Sequence, residues 1–336
     1  MDPIVYDLIK IGGSLAVVLT ICAYAVLAER KISAFIQDRL GPNRVGPWGL
    51  LQPLVDFGKM MLKEDVIPGH VNKIYFVLAP CISMFPALLL IAVIPFGPDV
   101  NGVKLVIADL NIGLLWVLAI SSLGVYGIVI AGWSSNSKYP FLGGVRSSAQ
   151  MISYEVSMGL SVIPVFMQVG GLNLSKIIGY QTEHVWLIAY PWLWTPFLIY
   201  LVSAFAETNR LPFDLPESET ELVSGYHTEY SSMKFGLFFL AEYSNMVTQS
   251  ALMVTLFFGG WSFPGVPNAT ASLGWGLVGV GIFLAKVLAF LFFYIWVRWT
   301  LPRFRYDQLM HLGWKVLLPI ALANILVAAG AIAWLG

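Results

Sequence analysis

Six carboxylates, Glu207, Asp214, Glu217, Glu219, Glu221 and Glu229, fall within one segment, FAETNRLPFDLPESETELVSGYHTEY (205–230), with a single internal cation, Arg210. Ionised carboxylates at this density repel one another, and the segment lies between two long apolar stretches. Such a cluster suits a chain that handles protons or cations at a membrane. Two further acids, Glu155 in QMISYEVSMGLSVI and Glu242 in FFLAEYSNMVTQ, sit inside apolar stretches, as does Lys286 in GIFLAKVLAF. An ionisable group there is costly against lipid, so each is expected to face the bundle interior, a partner charge or water. A carboxylate buried in low dielectric has its pKa raised toward neutrality, which a proton relay needs.

Plainer readings stand beside this one. The intramembrane charges could be a Glu–Lys pair that satisfies itself. Asp214 stands three residues before Glu217 and Ser218 three before Glu221, both helix-capping signatures, but capping leaves Glu207, Glu219 and Glu229 unexplained. Tyr154 and Tyr243 adjoin Glu155 and Glu242 in sequence. Helix neighbours point about 100° apart, so adjacency alone implies no hydrogen bond.

The elements that must position these residues follow from composition. The 336-residue chain is 58% apolar and 11% charged, against about 25% charge in soluble domains, and its mean hydropathy is positive. It belongs in a bilayer. With 19 basic and 19 acidic side chains and no basic block, nucleic acid is excluded as a partner. Cys22 and Cys81 lie in apolar stretches, and His70, His184, His227 and His311 are scattered. No metal, haem or iron-sulfur site assembles from neighbouring ligands, so any electrons must come from elsewhere. The first apolar run is too long for a signal sequence and is expected to stay as a membrane helix.

Eight stretches are long and apolar enough to span: roughly 6–28, 74–96, 112–133, 149–169, 185–206, 234–258, 273–297 and 315–335. The expectation is an all-α membrane protein, a single domain over 1–336 with about eight transmembrane helices. Fifteen basic residues fall in the first, third, fifth and seventh connections, and only Lys10, Lys104 and Lys176 on the opposite side. By the positive-inside rule both termini face outward and the acidic segment inward.

The longest inner connection, 29–73, is punctuated by Gly41-Pro42 and Gly46-Pro47. From Leu50 to Leu62 apolar residues recur at helical spacing, with Asp56, Lys59 and Lys63 opposite, which predicts an amphipathic interfacial helix. It could be a surface anchor, or it could frame a lateral doorway for an amphiphile such as a lipid-soluble quinone. In VRWTLPRFRYDQLMHLGWK, Arg298, Arg303 and Arg305 stand among aromatic residues and read mostly as interfacial anchors.

Four blocks, AERKISAFIQDRLGPNRVGPWGLLQPLVDFGKMMLKED, GGVRSSAQMISYEVSMGLSVI, FAETNRLPFDLPESETELVSGYHTEYSSMKFGLFFLAEYSNM and RWTLPRFRYDQLMHLGWK, resemble the family of membrane subunits that hold the quinone chamber of respiratory complex I, the NADH:quinone oxidoreductase. The resemblance covers nearly the whole chain; Thr220 is a small departure. It implies a bundle of eight helices, one strongly tilted, joining a peripheral arm to a membrane arm. It implies that quinone passes from the bilayer through a tunnel lined or braced by Glu29, Arg30, Lys31, Arg39, Arg44, Asp56 and Lys59, with Arg210, Arg298 and Arg303 as further candidates. The chain itself would hold no cofactor. Quinone is the substrate, and FMN and iron-sulfur clusters, the terminal cluster included, reside in partner subunits. On this mapping Glu155, Glu207, Asp214, Glu217, Glu219, Glu221, Glu229 and Glu242 carry proton coupling toward small membrane-arm and antiporter-like subunits. A bacterial inner membrane is the expected location. A related hydrogenase component would lack the need for a quinone doorway, and a stand-alone transporter usually carries an internal repeat, which this sequence lacks.

Overall fold

The computed structural model describes residues 3–100, 102–215, 223–263 and 273–335. Helices α1 (Pro3–Ile36), α2 (Gln52–Leu62), α3 (Lys73–Leu89), α4 (Gly113–Ser134), α5 (Lys138–Val169), α6 (Leu174–Glu183) and α7 (Trp194–Glu207) are followed by α8 (Ser232–Phe257), α9 (Leu273–Thr300), α10 (Tyr306–His311) and α11 (Leu318–Leu335). The chain is an all-α membrane protein in which, among the described residues, six helices are long and apolar enough to cross a bilayer. The expected fifth and sixth spans are not among them. Pro191 interrupts the former, leaving two 3-10 turns and a 14-residue α7, only about 21 Å long. The latter, α8, has 26 residues, but its Lys234, Glu242, Asn245 and Gln249 make it too polar for lipid, and most of its length is buried in protein.

Other boundaries move for identifiable reasons. No Gly or Pro follows Leu27 until Gly41, so α1 continues through the good helix formers Ala28 to Lys31 and ends at Ile36 rather than 28. Its 34 residues extend about 51 Å, well beyond the roughly 30 Å hydrocarbon core, which carries Glu29 and Arg30 past the apolar run. Helix α5 begins at Lys138, eleven residues before the expected start at 149, because Lys138, Pro140, Gly143, Gly144 and Arg146 interrupt the apolar run up to Ser148 and lower its hydropathy. Its glycines allow close packing there: a Cβ at Gly143 would lie 2.7 Å from the Tyr226 nitrogen. The last span is entered through α10 and a π-helical turn, 312–317, again earlier than expected. There Gly313 packs on Ser153, and the Leu309 carbonyl accepts from Tyr154 Oη at 2.9 Å.

Helix α5 packs between α4, α7 and α11, while α8 packs on α3, α9 and α1. The buried core joins these two groups through residues such as Met158, Tyr200, Leu252 and Phe283. A hairpin not expected from the sequence, β1 (Gly97–Val100) and β2 (Val103–Leu105), pairs antiparallel. It seats on α9 where Gly276 and Gly279 leave room for Val100 and Pro98. The amphipathic helix is present as α2, with Leu54 and Leu62 exposed.

Candidate functional site

Helix α8 presents two successive residues to different compartments. Tyr243 lines an apolar groove of about 140 Å³ walled by α1, α2 and α8, with Val26, Arg30, Asp56, Phe57 and Gly236 among its other walls. Arg30 Nη1 donates to Asp56 Oδ2 at 2.7 Å, and Gln52 Nε2 donates to Asp56 Oδ1 at 2.8 Å. Asp56 therefore fastens α2 to α1. A Cβ at Gly236 would lie 3.0 Å from Met60 Sδ, so glycine lets α2 approach α8. Ser232 Oγ lies 2.9 Å from both the Met60 and the Lys63 carbonyls, which satisfies the end of α2. Lys234 pairs with Asp65 at 2.6 Å.

Behind the groove lies a buried ionic cluster. Glu29 Oε2 accepts from Tyr243 Oη at 2.6 Å and from Arg210 Nη1 at 3.2 Å, and its Oε1 accepts from Arg298 Nη1. Glu29 and Arg210 are only 8% and 6% exposed, so this carboxylate compensates charges that water cannot reach. The Arg210 guanidinium also sits over the Tyr243 ring at 4.2 Å. The cluster joins α1, the turn after α7, α8 and α9. That turn is held from α5: Gln150 Nε2 donates to the Ala206 and Phe213 carbonyls at 2.8 Å each and to Asn209 Oδ1 at 3.3 Å.

Glu242 faces the other way. It shares with Glu207, Asn209, Tyr226 and Asn245 a polar cavity of about 20 Å³, enough for one water, which needs roughly 10–15 Å³. Tyr226 Oη donates to Glu242 Oε1 at 2.8 Å. Glu207 Oε2 accepts from Gln249 Nε2 at 2.8 Å, and Gln249 Oε1 accepts from Tyr200 Oη at 2.7 Å. Glu155 on α5 and Glu207 on α7 both approach the Ser121 hydroxyl of α4. Three acids distant in sequence thus converge between α4, α5, α7 and α8. The tyrosine partners are not the sequence neighbours: Tyr243 serves Glu29, and Tyr154 serves the Leu309 carbonyl.

The structure sorts the remaining candidates. Lys31 Nζ donates to the Trp48 carbonyl inside the Gly-Pro loop, where Gly46 and Gly49 adopt positive φ of 69° and 76°. Arg39, Arg44 and Lys59 are exposed and do not reach the groove. Asp214 Oδ2 accepts from Arg303 Nη2 at 3.0 Å, and Phe304 N donates to the Pro212 carbonyl at 3.1 Å, which ties the turn after α7 to the chain after α9. Arg298 and Arg303 are accordingly not interfacial anchors, because buried carboxylates draw them inward; Arg305 remains exposed beside Asp307. Glu229 lies apart, 4.0 Å from His70 Nε2. Glu217, Glu219 and Glu221, with the capping signatures that involve them, lie outside the described residues.

The alternative of a self-satisfying Glu–Lys pair is overturned. Lys286 Nζ donates to the carbonyls of Phe258, Gly260 and Ser262 at 2.7, 2.9 and 2.7 Å, supplying a cation where α8 ends. Sequence reasoning missed Gln150, Gln249, Tyr200, Tyr226 and Ser121. The two glutamines were detectable as long amides within apolar spans.

A family model described as NADH dehydrogenase matches residues 9–329. An H subunit of the NADH-quinone oxidoreductase of Geobacter metallireducens, the one numbered 1, is 54% identical over 335 residues, covering 97% of this chain and 98% of the relative. NADH-quinone oxidoreductase subunit 8 of Rhodothermus marinus is 54% identical over 317 residues, covering 92% of each chain. An H subunit of the same enzyme from Koribacter versatilis, the one numbered 2, is 52% identical, covering 96% of this chain and 95% of the relative. The chain belongs to the NADH dehydrogenase family, among the H subunits of NADH-quinone oxidoreductases.

Proposed function

We propose that this chain is the membrane subunit of a proton-translocating NADH-quinone oxidoreductase that admits quinone from the bilayer and passes the consequence of its reduction to a set of carboxylates. The observation that carries this reading is the divergence of Glu242 and Tyr243 on one helix. Tyr243 forms a wall of the groove and donates to Glu29. Glu29 holds Arg210, which adjoins Asn209 on the cavity shared by Glu207 and Glu242. A change of charge or position at the groove therefore has a short path of ionic and hydrogen-bonded groups to the interior acids.

The groove's apolar lining suits a quinone ring or isoprenoid tail, with Arg30, Asp56 and the Tyr243 hydroxyl as its polar features. Its 140 Å³ resembles cavities that accept one benzene-sized ring. It is the width of a passage rather than a chamber for the whole molecule, and the headgroup would be reduced beyond it, at a partner subunit's iron-sulfur cluster. FMN and the clusters belong to partners, and small membrane-arm and antiporter-like subunits would receive the output. We assign this chain the task of coupling, with no redox centre of its own. The chain would make eight crossings, counting α7 with its 3-10 turns and α8; with that even count the charge asymmetry puts both termini outward, and the bacterial relatives support a bacterial inner membrane.

The test replaces Glu155 or Glu207 with Gln in the assembled complex. Each should lower NADH:quinone reductase activity at least tenfold, while electron transfer from NADH to a soluble acceptor stays intact. Unchanged quinone reduction and proton pumping in both variants would reject the coupling role.

A further inference from the structure

At the end of the bundle that carries the N-terminus, two cavities adjoin. One is an apolar groove of about 330 Å³ between the first turns of α1, the hairpin and α9, walled by Val17, Phe96 and Phe283. The other is a polar cavity of about 460 Å³ between the hairpin, the connection to α4 and the start of α6. Leu105 and Val106 line both, so a molecule could pass over the end of β2 from one into the other. The three lysines that the sequence places on this side, Lys10, Lys104 and Lys176, all converge here: Lys10 lines the groove, and Lys104 and Lys176 line the polar cavity.

The charges are arranged in a particular way. Lys104 is consumed by Asp109 at 2.5 Å, and Asp109 also accepts from Asn173 Nδ2 at 2.7 Å, fastening the hairpin connection to the cap of α6. Lys10 is loosely engaged, 3.4 Å from Asp7. Among the described residues, Asp99 forms no ion pair within 4 Å, and Lys176 Nζ meets only the Gly170 carbonyl at 3.4 Å. The polar cavity therefore offers a carboxylate, Asp99, which feels the Lys104 charge only from beyond ion-pair distance, and an ammonium, Lys176, with no ion pair among those residues, next to a groove that accepts hydrocarbon.

We propose that this composite is a binding site for a phospholipid with a primary-amine headgroup, of the phosphatidylethanolamine class. Its ammonium pairs with Asp99, its phosphate pairs with Lys176, and an acyl chain crosses Leu105 and Val106 into the groove between α1 and α9. A purely anionic lipid leaves Asp99 opposed. A trimethylated head satisfies the charge of Asp99 but cannot donate a hydrogen bond to it. The site is separate from the α1–α2–α8 groove and the Glu29 cluster, and does not depend on the function proposed for them.

The test uses the assembled complex in membranes or detergent, with phosphatidylethanolamine carrying a diazirine in its acyl chain and an unmodified head. Photolabelling should fall on peptides containing residues 6–17, 96–107 and 280–284. It should drop about tenfold in Asp99→Asn, in Lys176→Gln, or with the phosphatidylcholine analogue, the loss expected for one charge-assisted contact. Quinone reductase activity in the two variants should stay normal, which shows that the protein is folded. Equal labelling by both lipids, labelling unaffected by the substitutions, or labels on partner subunits alone would overturn the proposal.

Discussion

Replacement of Glu29 by Gln tests whether one carboxylate organises the site. In the wild type Glu29 accepts from Tyr243, Arg210 and Arg298 and is 8% exposed. The amide oxygen can accept from one or two of these donors but supplies no charge, so two guanidiniums lose a shared counter-charge, Arg210 nearly closed to water and Arg298 with 26% of its side chain accessible. Removing one partner from a buried ionic group costs about 3–5 kcal/mol. The retained acceptor places Glu29→Gln near the low end, about 3 kcal/mol. Arg298→Met alone leaves Glu29 with Arg210 and Tyr243 and should cost about 1–2 kcal/mol, the scale of one charge-assisted hydrogen bond. The double variant removes one of the two cations that Glu29 serves, so its cost should fall below the sum by about 1.5 kcal/mol or more. The assay is the half-life of NADH:quinone reductase activity in membranes at one raised temperature. Each tenfold change in half-life reads as about 1.5 kcal/mol at an assay temperature of about 50 °C. NADH oxidation by a soluble acceptor reports the integrity of the peripheral arm. Additivity of the two substitutions to within about 0.5 kcal/mol would refute the idea that Glu29 and Arg298 share one charge balance.

Lys286→Met should strip the cation from the Phe258, Gly260 and Ser262 carbonyls. At about 1–3 kcal/mol for an unsatisfied buried acceptor, amide exchange in the last turn of α8 should accelerate at least tenfold, and unchanged exchange would refute the capping role. Gly49→Ala places a Cβ 2.2 Å from the Pro42 carbonyl at a φ of 76°; the yield of protein in membranes should fall sharply, whereas Gly58→Ala, with open space around it, should be tolerated. The Lys104–Asp109 contact should show a defined pH window. The hydrogen bond to Asp109 raises the Lys104 pKa above 10.5. Burial alone would raise that of Asp109, but hydrogen bonds from Lys104 and Asn173 outweigh it and hold it below 3.8. The contribution from Asp109 is therefore fully present above pH 3.8 and lost as pH falls through its depressed value. That from Lys104 is present below pH 10.5 and lost above its raised value. Intrinsic-rate-corrected exchange of residues 102–112 should be flat from about pH 5 to 9, and a step in that range would contradict the assignment.

Much of this protein was legible because a bilayer imposes one dominant rule on sequence: a spanning helix must be apolar along its length. Helices α3, α4 and α9 stand close to where hydropathy puts them, and the period of Leu50 to Leu62 predicts α2. The rule weakens where protein replaces lipid as the surroundings. Helix α8 keeps Lys234, Glu242 and Gln249 because other helices cover it, and the start of α5 mixes Lys138, Arg146 and two glycines into an otherwise apolar run, which breaks the hydropathy signal. The hairpin is short and held by packing on the glycines of α9, so its strand pattern is too brief to read.

The sequence alone determined which residues carry charge into the apolar region: Glu155, Glu242, Lys286 and the acids at the end of α7 are conspicuous because each is costly there. It could not determine their partners. Lys286 serves carbonyls instead of a glutamate, Tyr243 serves Glu29 across 214 positions, and Arg298 and Arg303 turn inward. Those choices depend on which helix faces meet. Facing is set by the packing of the entire bundle, in which the rotation of about 100° between Glu242 and Tyr243 sends one to the carboxylate cavity and the other to the groove.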